Sequence, residues 1–411
     1  MKLNIDRVAK MIIHPNQTES ELVVFCGAGI SNNSNIPLAK DIEKKISKSI
    51  NMSEADILKI TDKRSVPFEG FIERIIEGCK HSTNENKARS ILFDVYRGVP
   101  NDTHKLLALL CKKKIVRTIV TTNFDKLIEQ ALDDLGVDYK VFIKEEDFSN
   151  IDYKGITVNV IKIHGSIEKT ESLRTTLRGI LNDLNSDKRR EVIENIFSCE
   201  KNNRILVLGH SCSDLDLVPF IKAASNPTTE IICIAHSKST LMDIEEIDEK
   251  SYEIDHYKKI IDTYIKYTNN HIIRCNTDIL IAKLIQNLGS VSSYKRVQDS
   301  QNLDLLSEWG KKAGLNENGA DYLLAGNLLS GLIDDDETAL EYFFKAFDLC
   351  QNKDEKSRDI RINCLMNIST SYRKLHKYSR AKKYIKKAKK ILKKHTILMD
   401  LSVGMSIMAI F

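Results

Sequence analysis

The chain has 411 residues, 42% of them hydrophobic, and its 62 basic side chains against 57 acidic ones leave a formal charge of +5. That length exceeds what one core needs, so a large domain plus a smaller one is expected, and so modest a charge reads as whole-chain composition before it reads as a nucleic-acid footprint. No apolar stretch reaches the roughly 20 residues that cross a bilayer, and the segment Met1 to Asp6 lacks a secretory signal's apolar core, so a cytoplasmic protein is expected.

The first strand-like run, Leu22 to Cys26, leads directly into Gly27-Ala28-Gly29-Ile30-Ser31. Glycines let a main chain approach a diphosphate closely, so the N–H groups around Gly27, Ala28 and Gly29, at the start of a following helix, are expected to receive phosphate, with Ser31 adding a hydroxyl. The spacing G-x-G-x-S lacks the third glycine of the dehydrogenase fingerprint, which speaks against hydride transfer. From about 38 to 115 the apolar residues recur at helical intervals, as in Phe68-Ile72-Ile75-Ile76 and His104-Leu107-Leu110. A simple crossover needs only about a dozen residues, so this stretch predicts an inserted helical subdomain at the sheet's ligand edge.

Further β-branched runs at 117–121, 139–143, 157–163, 203–208, 230–235 and 271–274 alternate with helical segments. That alternation predicts an α/β fold with a Rossmann-like wound, mostly parallel sheet covered by helices on both faces. Loops leaving the carboxyl ends of such strands converge on one crevice. Asn123 and Asp125 follow the run Thr118 to Thr122, His164 and Gly165 follow Val158 to Ile163, and Gly209, Ser211, Ser213, Asp214 and Asp216 follow Leu206 to Leu208. A carboxamide, a carboxylate and an imidazole over a phosphate loop can hold an amide, steady a ribose and accept a proton. Each also has a structural reading: Asn123 as a helix N-cap, Asp125 as a first-turn partner of the helix dipole, His164 as an interior histidine.

The polar segment Gly289 to Ser293 predicts a boundary, dividing a catalytic domain at 1–290, with its insertion at 38–115, from a helical domain at 291–411. In the latter, Ala339-x-x-x-Phe343-x-x-Ala346 and Ala381-x-x-x-Ile385-x-x-Ala388 stand 42 residues apart, and Leu365, Ile368, Ser369 and Tyr372 supply a facing helix. This resembles tetratricopeptide repeats, whose period is roughly 34 residues, so longer helices are implied. An ordinary helical appendage fits as well. From Arg373 to Lys394 there are twelve Lys or Arg residues with no interleaved aromatic platform, a pattern of a solvated face rather than of specific nucleic-acid reading. The apolar run from Ile397 to Phe411 needs a cover, so either more repeats, the first domain or a second subunit is expected over it.

Nine cysteines stand singly, without a C-x-x-C pair, which fits reduced buried thiols and excludes a paired-knuckle zinc site. The order G-A-G-I-S, T-T-N-F-D, H-G and G-x-S-x-S-D across about residues 20–235 resembles the sirtuin superfamily, in particular the sirtuin-like domains of bacterial anti-phage defence proteins. Those proteins bind NAD and cleave its nicotinamide–ribose bond. The resemblance implies Gly27, Ala28, Gly29 and Ser31 at the cofactor phosphates, Asn123 and Asp125 beside the nicotinamide ribose, His164 as the catalytic histidine, and Gly209, Ser211 and Asp214 along the adenosine side. Pro100-Asn101-x-x-His104 also matches a family element and is read as scaffold. Deacetylating sirtuins carry a four-cysteine zinc module after H-G, where this chain has only Cys199, and a Gly-Ile-Pro-Asp-Phe-Arg run where it has Asn35-Ile36-Pro37-Leu38-Ala39.

These departures imply water as acceptor, no zinc, and an NAD glycohydrolase acting as a defence effector that releases nicotinamide and ADP-ribose or a cyclic form of it. A protein deacylase and a non-catalytic scaffold that senses NAD or ADP-ribose are the competing readings. An enzyme that destroys NAD must be restrained, so self-association through the helical region and an invader-derived or partner trigger are expected, with no membrane partner.

Overall fold

The computed structural model describes residues 4–13, 21–61, 68–82, 85–169, 172, 187–197, 204–212, 217–224, 229–237, 244–247, 255–264, 270–291, 301–316, 318–350 and 354–393. They divide into two units, one combining Met1–Leu38 with Phe93–Asn302, the other Ala39–Leu92 with Leu303–Phe411.

The first unit is built on an eight-stranded sheet in the order β3-β4-β2-β1-β5-β6-β8-β7. Its strands are β1 (Leu22–Cys26), β2 (Val116–Thr121), β3 (Tyr139–Phe142), β4 (Val158–Lys162), β5 (Arg204–Leu208), β6 (Glu230–His236), β7 (Glu245–Ile247) and β8 (His271–Cys275). Every neighbouring pair is parallel except β7 with β8. All the strands expected from the β-branched runs form, each end within one residue. The short antiparallel edge β7 was not expected, because three residues carry too little periodicity to stand out.

Side chains alternate between two cores, as a period of two requires. Val24, Ile119, Val160, Leu206, Ile232 and Ile273 belong to one apolar cluster together with residues of the helices Ile5–Ile13, Asp102–Lys112, Leu127–Asp134 and Thr277–Asn287. Phe25, Val120, Ile161, Val207, Cys233 and Ile272 belong to the other, with the helices Asp187–Phe197, Val218–Ala224 and Asp255–Tyr264. From β1 the chain winds outward through β2 to β3 and β4, then returns to the other side of β1 as β5. The winding reverses between β1 and β5, and the crevice outside the carboxyl ends of such a pair is where open α/β sheets bind ligands.

The second unit is helical, and its composition differs from the expected layout. Of the stretch 38–115, the helix Asp102–Lys112 belongs with the sheet, whereas residues 39–92 group with the C-terminal helices. Their packing explains the grouping. Trp309 is fully buried and its Nε1 donates to the Ala88 carbonyl at 2.9 Å, while the Gly310 N–H donates to Ser49 Oγ at 3.3 Å. Lys59 pairs with Asp56 and Asp335 at 2.9 and 2.8 Å, and the Tyr342 hydroxyl donates to Asp56 at 2.8 Å. The helices Ala320–Leu332, Asp336–Leu349, Glu355–Lys374 and Tyr378–Lys393 then pack one on the next. Ala339, Ala346, Ala381 and Ala388 are all buried, as expected of small residues where helices meet, and a Cβ on Gly326 would stand 2.5 Å from the Phe343 ring. The apolar run from Ile397 to Phe411 lies outside the described residues.

Candidate active site

The loops after β1 and β5 are locked together by main chain. The Gly27 N–H donates to the Leu208 carbonyl at 3.1 Å and the Gly29 N–H to the Gly209 carbonyl at 2.9 Å. A Cβ on Gly27 would stand 2.9 Å from the Gly209 carbonyl oxygen, and one on Gly29 2.7 Å from Gly209 Cα. The glycines are therefore required by the approach of one loop to another. This corrects the expectation that their N–H groups stand open to a phosphate, since both are spent inside the protein. The expected helix start is corrected too: a four-residue 3-10 turn, Ala28–Ser31, follows the glycine, and the next α-helix begins only at Ala39. Ala28, Gly29, Gly209 and Ser211 are exposed and form the open rim of the β1–β5 crevice, while Asp214 lies outside the described residues.

Strand register sets the depth of the polar groups. Cys26 pairs with Thr121 and with Leu208, and Thr121 pairs with Lys162. Two residues beyond each lie Ala28, Asn123, His164 and His210, at equivalent positions on four adjacent strand ends, each about 4.8 Å from the next strand. Asn123, Asp125, His164 and His210 are all buried, His164 to 4% exposure.

Asn123 is held by both of its nitrogens. Its N–H donates to Thr121 Oγ1 at 3.0 Å, and its Nδ2 donates to Ser31 Oγ at 3.0 Å and to Asp125 Oδ2 at 3.3 Å. Its Oδ1, in contrast, is buried with no hydrogen-bond partner among the described residues. A buried amide oxygen without a donor costs about 1–3 kcal/mol, and such an atom at a sheet's ligand edge is where a ligand's donor belongs. Asp125 accepts from Ser31 Oγ at 2.8 Å, and its Oδ1 accepts the Leu127 N–H at 3.0 Å, which anchors the first turn of the helix Leu127–Asp134. It thus serves that helix, as its structural reading expects, and also orients Ser31 and Asn123. Asn123 caps no helix.

Two neighbours of this network were legible only as scaffold. Asn101 caps the helix Asp102–Lys112 and its Nδ2 donates to the Ile30 and Asn32 carbonyls at 2.8 and 2.7 Å, fixing the turn that carries Ser31. His104 is fully buried, with Nε2 3.4 Å from Ser31 Oγ, and burial pulls its imidazole down to about 4 against a weaker opposing pull from Asp125. It is therefore neutral at physiological pH. Because the unfolded histidine titrates near 6.5, stability is complete above that pH and is lost as the pH falls from about 6.5 towards about 4, where only the unfolded chain takes up the proton. Replacing His104 with asparagine should flatten that part of a stability-versus-pH curve measured by chemical denaturation.

Beneath the Asn123 loop lies a buried cation. Lys162, fully buried at the end of β4, pairs with Glu129 at 2.9 Å and donates to the Asp125 and Phe124 carbonyls, the latter at 3.4 Å. Burial raises the Glu129 carboxyl and Lys162 opposes that rise. The signal available in the sequence was a lysine inside the apolar run Val158 to Ile163. On the far side, His210 packs edge-on against Phe25 at 4.9 Å and its Nδ1 meets the Tyr264 hydroxyl at 3.0 Å.

A family model described as a SIR2-like domain matches residues 117–256, which takes in Asn123, Asp125, His164 and the loop after β5. Residues 117–256 are similar to SIR2-like domains. The match begins after β1 and leaves Gly27 to Ser31 outside it, so the inclusion of that loop in the site rests on the hydrogen bonds of Ser31 and on the β1–β5 lock. Among curated proteins, this chain is similar to one named NAD(+) hydrolase ThsA from Cytobacillus dafuensis, 30% identical over 156 residues, 37% of this chain and 28% of that protein. A second NAD(+) hydrolase ThsA, from Acinetobacter baumannii (strain 532279), is 31% identical over 173 residues, 40% of this chain and 30% of that protein. The matches thus span less than a third of the length of either relative. A solved chain described as "Structural Basis for the Mechanism and Regulation of Sir2 Enzymes" aligns at a TM-score of 0.35 and 16% identity, covering 70% of this chain and 99% of that one. The fold stands on the strand order given above. Among the described residues no group of three or more His, Cys, Asp or Glu is placed to hold a metal ion, and no helix is long and apolar enough to cross a membrane.

Proposed function

We propose that this chain is an NAD glycohydrolase that cleaves the nicotinamide–ribose bond with water as the acceptor. The observation that carries the reading is the Asn123 carboxamide: its nitrogen is tied to Ser31 and Asp125, and its buried Oδ1 meets no donor among the described residues. A ribose hydroxyl or the nicotinamide amide supplies one. The diphosphate crosses the exposed rim of Ala28, Gly29, Gly209 and Ser211, and Asp214 belongs to the adenosine side. NAD is the substrate in this reading, and no zinc takes part.

In the reaction the ribose C1′–N bond breaks, both electrons leave with the pyridine ring, and the cationic nicotinamide departs neutral. Positive charge develops on C1′ and the ring oxygen, where the Asn123 Oδ1 dipole and the Asp125 carboxylate behind it oppose it. His164 orients the water that attacks C1′ and takes up its proton. The products are nicotinamide and ADP-ribose, or the cyclic form when a hydroxyl of the same molecule replaces water. Glycohydrolysis needs no acceptor peptide, so nicotinamide release from NAD should be the same with and without an acetylated peptide. Release that depends on the peptide would establish a deacylase, and binding of NAD or ADP-ribose without turnover at stoichiometric enzyme would establish a sensing scaffold.

The similarity to NAD hydrolases and the sequence resemblance support a cytoplasmic role in anti-phage abortive infection. Such an enzyme needs restraint, and the helical unit, tetratricopeptide-like in its small-residue pattern, is the element proposed to supply it by homo-oligomerisation and by receiving a phage-derived or partner trigger. A monomer fully active without any trigger, seen by light scattering alongside the NAD assay, would contradict that part.

A further inference from the structure

We infer that Lys162 is a positioning residue for the proposed reaction, acting through main-chain carbonyls to hold the loop that presents Asn123 and Asp125. The inference rests on the glycohydrolase reading for its activity arm only.

A lysine with no exposed surface is unusual, because desolvating an ammonium costs several kcal/mol unless its donors are all answered. Here they are answered by three acceptors: the Phe124 carbonyl, the Asp125 carbonyl and Glu129 Oε1. Two of the three belong to the turn immediately after Asn123, which has to reverse from β2 into the helix Leu127–Asp134. That turn is also held by Ser31 and Asn123, which donate to Asp125, by the Phe124 ring edge-on to Tyr96 at 5.4 Å and by the Lys126–Glu168 ion pair. The Asp125 side chain holds the Leu127 N–H, and the Phe124 carbonyl also accepts the Ile167 N–H at 3.0 Å, which ties it to the loop after His164. Lys162 stands two residues before His164 on the neighbouring strand, so one ammonium links the β4 end that carries the histidine to the turn that carries the carboxamide. Glu129, one helical turn further on, supplies the third acceptor for the ammonium.

A purely structural ion pair and a carbonyl clasp make different predictions for the paired substitution. Lys162→Met alone strands Glu129 and should lower the melting temperature. Lys162→Met with Glu129→Met removes both charges at similar volume and should restore most of that stability. If the clasp is what matters, the double variant still turns over roughly 10²-fold more slowly than wild type at saturating NAD, with KM changed by less than about threefold, because the reacting groups are displaced while the binding rim is untouched. Glu129→Gln keeps an acceptor for the ammonium and keeps the clasp, so it should retain most of the turnover. Recovery of wild-type kcat in the double variant, or a loss in Glu129→Gln equal to that in Lys162→Met, would overturn the assignment. Hydrogen exchange at the amides of 124–127 supplies a readout independent of catalysis. Faster exchange there in the double variant, with the β1 and β5 amides unchanged, is expected, and wild-type rates would overturn the clasp. If wild type releases no nicotinamide, the functional reading fails by itself and the exchange data still decide the role of Lys162.

Discussion

Replacing Asn123 with alanine is expected to lower nicotinamide release from NAD by roughly 10²–10³-fold, the usual consequence of deleting one preorganised dipole aimed at developing charge. The fold should survive the change. Ser31 still donates to Asp125 at 2.8 Å, Asp125 still holds the Leu127 N–H, and the main chain at 123 still donates to Thr121 Oγ1. What disappears is a buried carboxamide whose nitrogen is fixed by protein and whose oxygen meets no donor among the described residues, so the loss should fall on kcat with a melting temperature close to wild type. Alanine at His164 should cost roughly 10²–10⁴-fold, the range for a positioned acid or base, with Gly165 and the turn behind it intact. Nicotinamide resolved by chromatography, beside a thermal melt of each variant, checks both. Full turnover in the two folded variants would remove the proposed roles.

Gly209→Ala should destabilise the sheet unit by about 3 kcal/mol, the sum of two effects at one residue. Its φ is +62°, a left-handed conformation that costs an L side chain about 1–2 kcal/mol. Its Cβ would also lie 2.5 Å from the Ile30 nitrogen and 2.7 Å from the Gly29 carbonyl carbon, and both are main-chain atoms that cannot swing aside. Gly136 provides the comparison, since its φ is +61° and a Cβ there meets nothing within 4 Å. Gly136→Ala should show the conformational part alone. Denaturant unfolding of both variants measures the difference, which is the energy of the lock between the β1 and β5 loops. Equal losses would mean that the loops are not locked.

The sheet was legible because its inner strands β1, β2, β4, β5 and β6 are short β-branched runs buried almost throughout, and because helical segments between the runs force parallel pairing. Asn123, Asp125 and His164 were legible for the same reason: once the runs are strands, the residues just past their ends share one edge. The phosphate loop was misread in its physics. Two glycines after a strand are equally consistent with an approaching ligand and an approaching loop, and only the pairing of β1 with β5 shows that Gly209 occupies the space. The second unit was hidden because residues 39–92 are as helical by periodicity as any crossover cover. What assigns them to the C-terminal helices is the fit of Trp309, Lys59 and Asp56 to partners more than 200 residues away, which no local pattern encodes. Lys162 stood in plain view as a charge inside an apolar strand, but two of its three acceptors are main-chain carbonyls, and these leave no mark on a sequence.

The account as a whole depends on where a dinucleotide sits. The most direct measurement is a crystal structure of the Asn123→Ala variant grown with NAD, which the loss of turnover should trap intact. The account predicts the diphosphate along Ala28, Gly29 and Gly209 between β1 and β5, with the nicotinamide ribose C1′ about one water diameter, roughly 3–3.5 Å plus a bond length, from the His164 ring. A dinucleotide bound away from that crevice, or a His164 imidazole turned from the ribose into the interior, would contradict it.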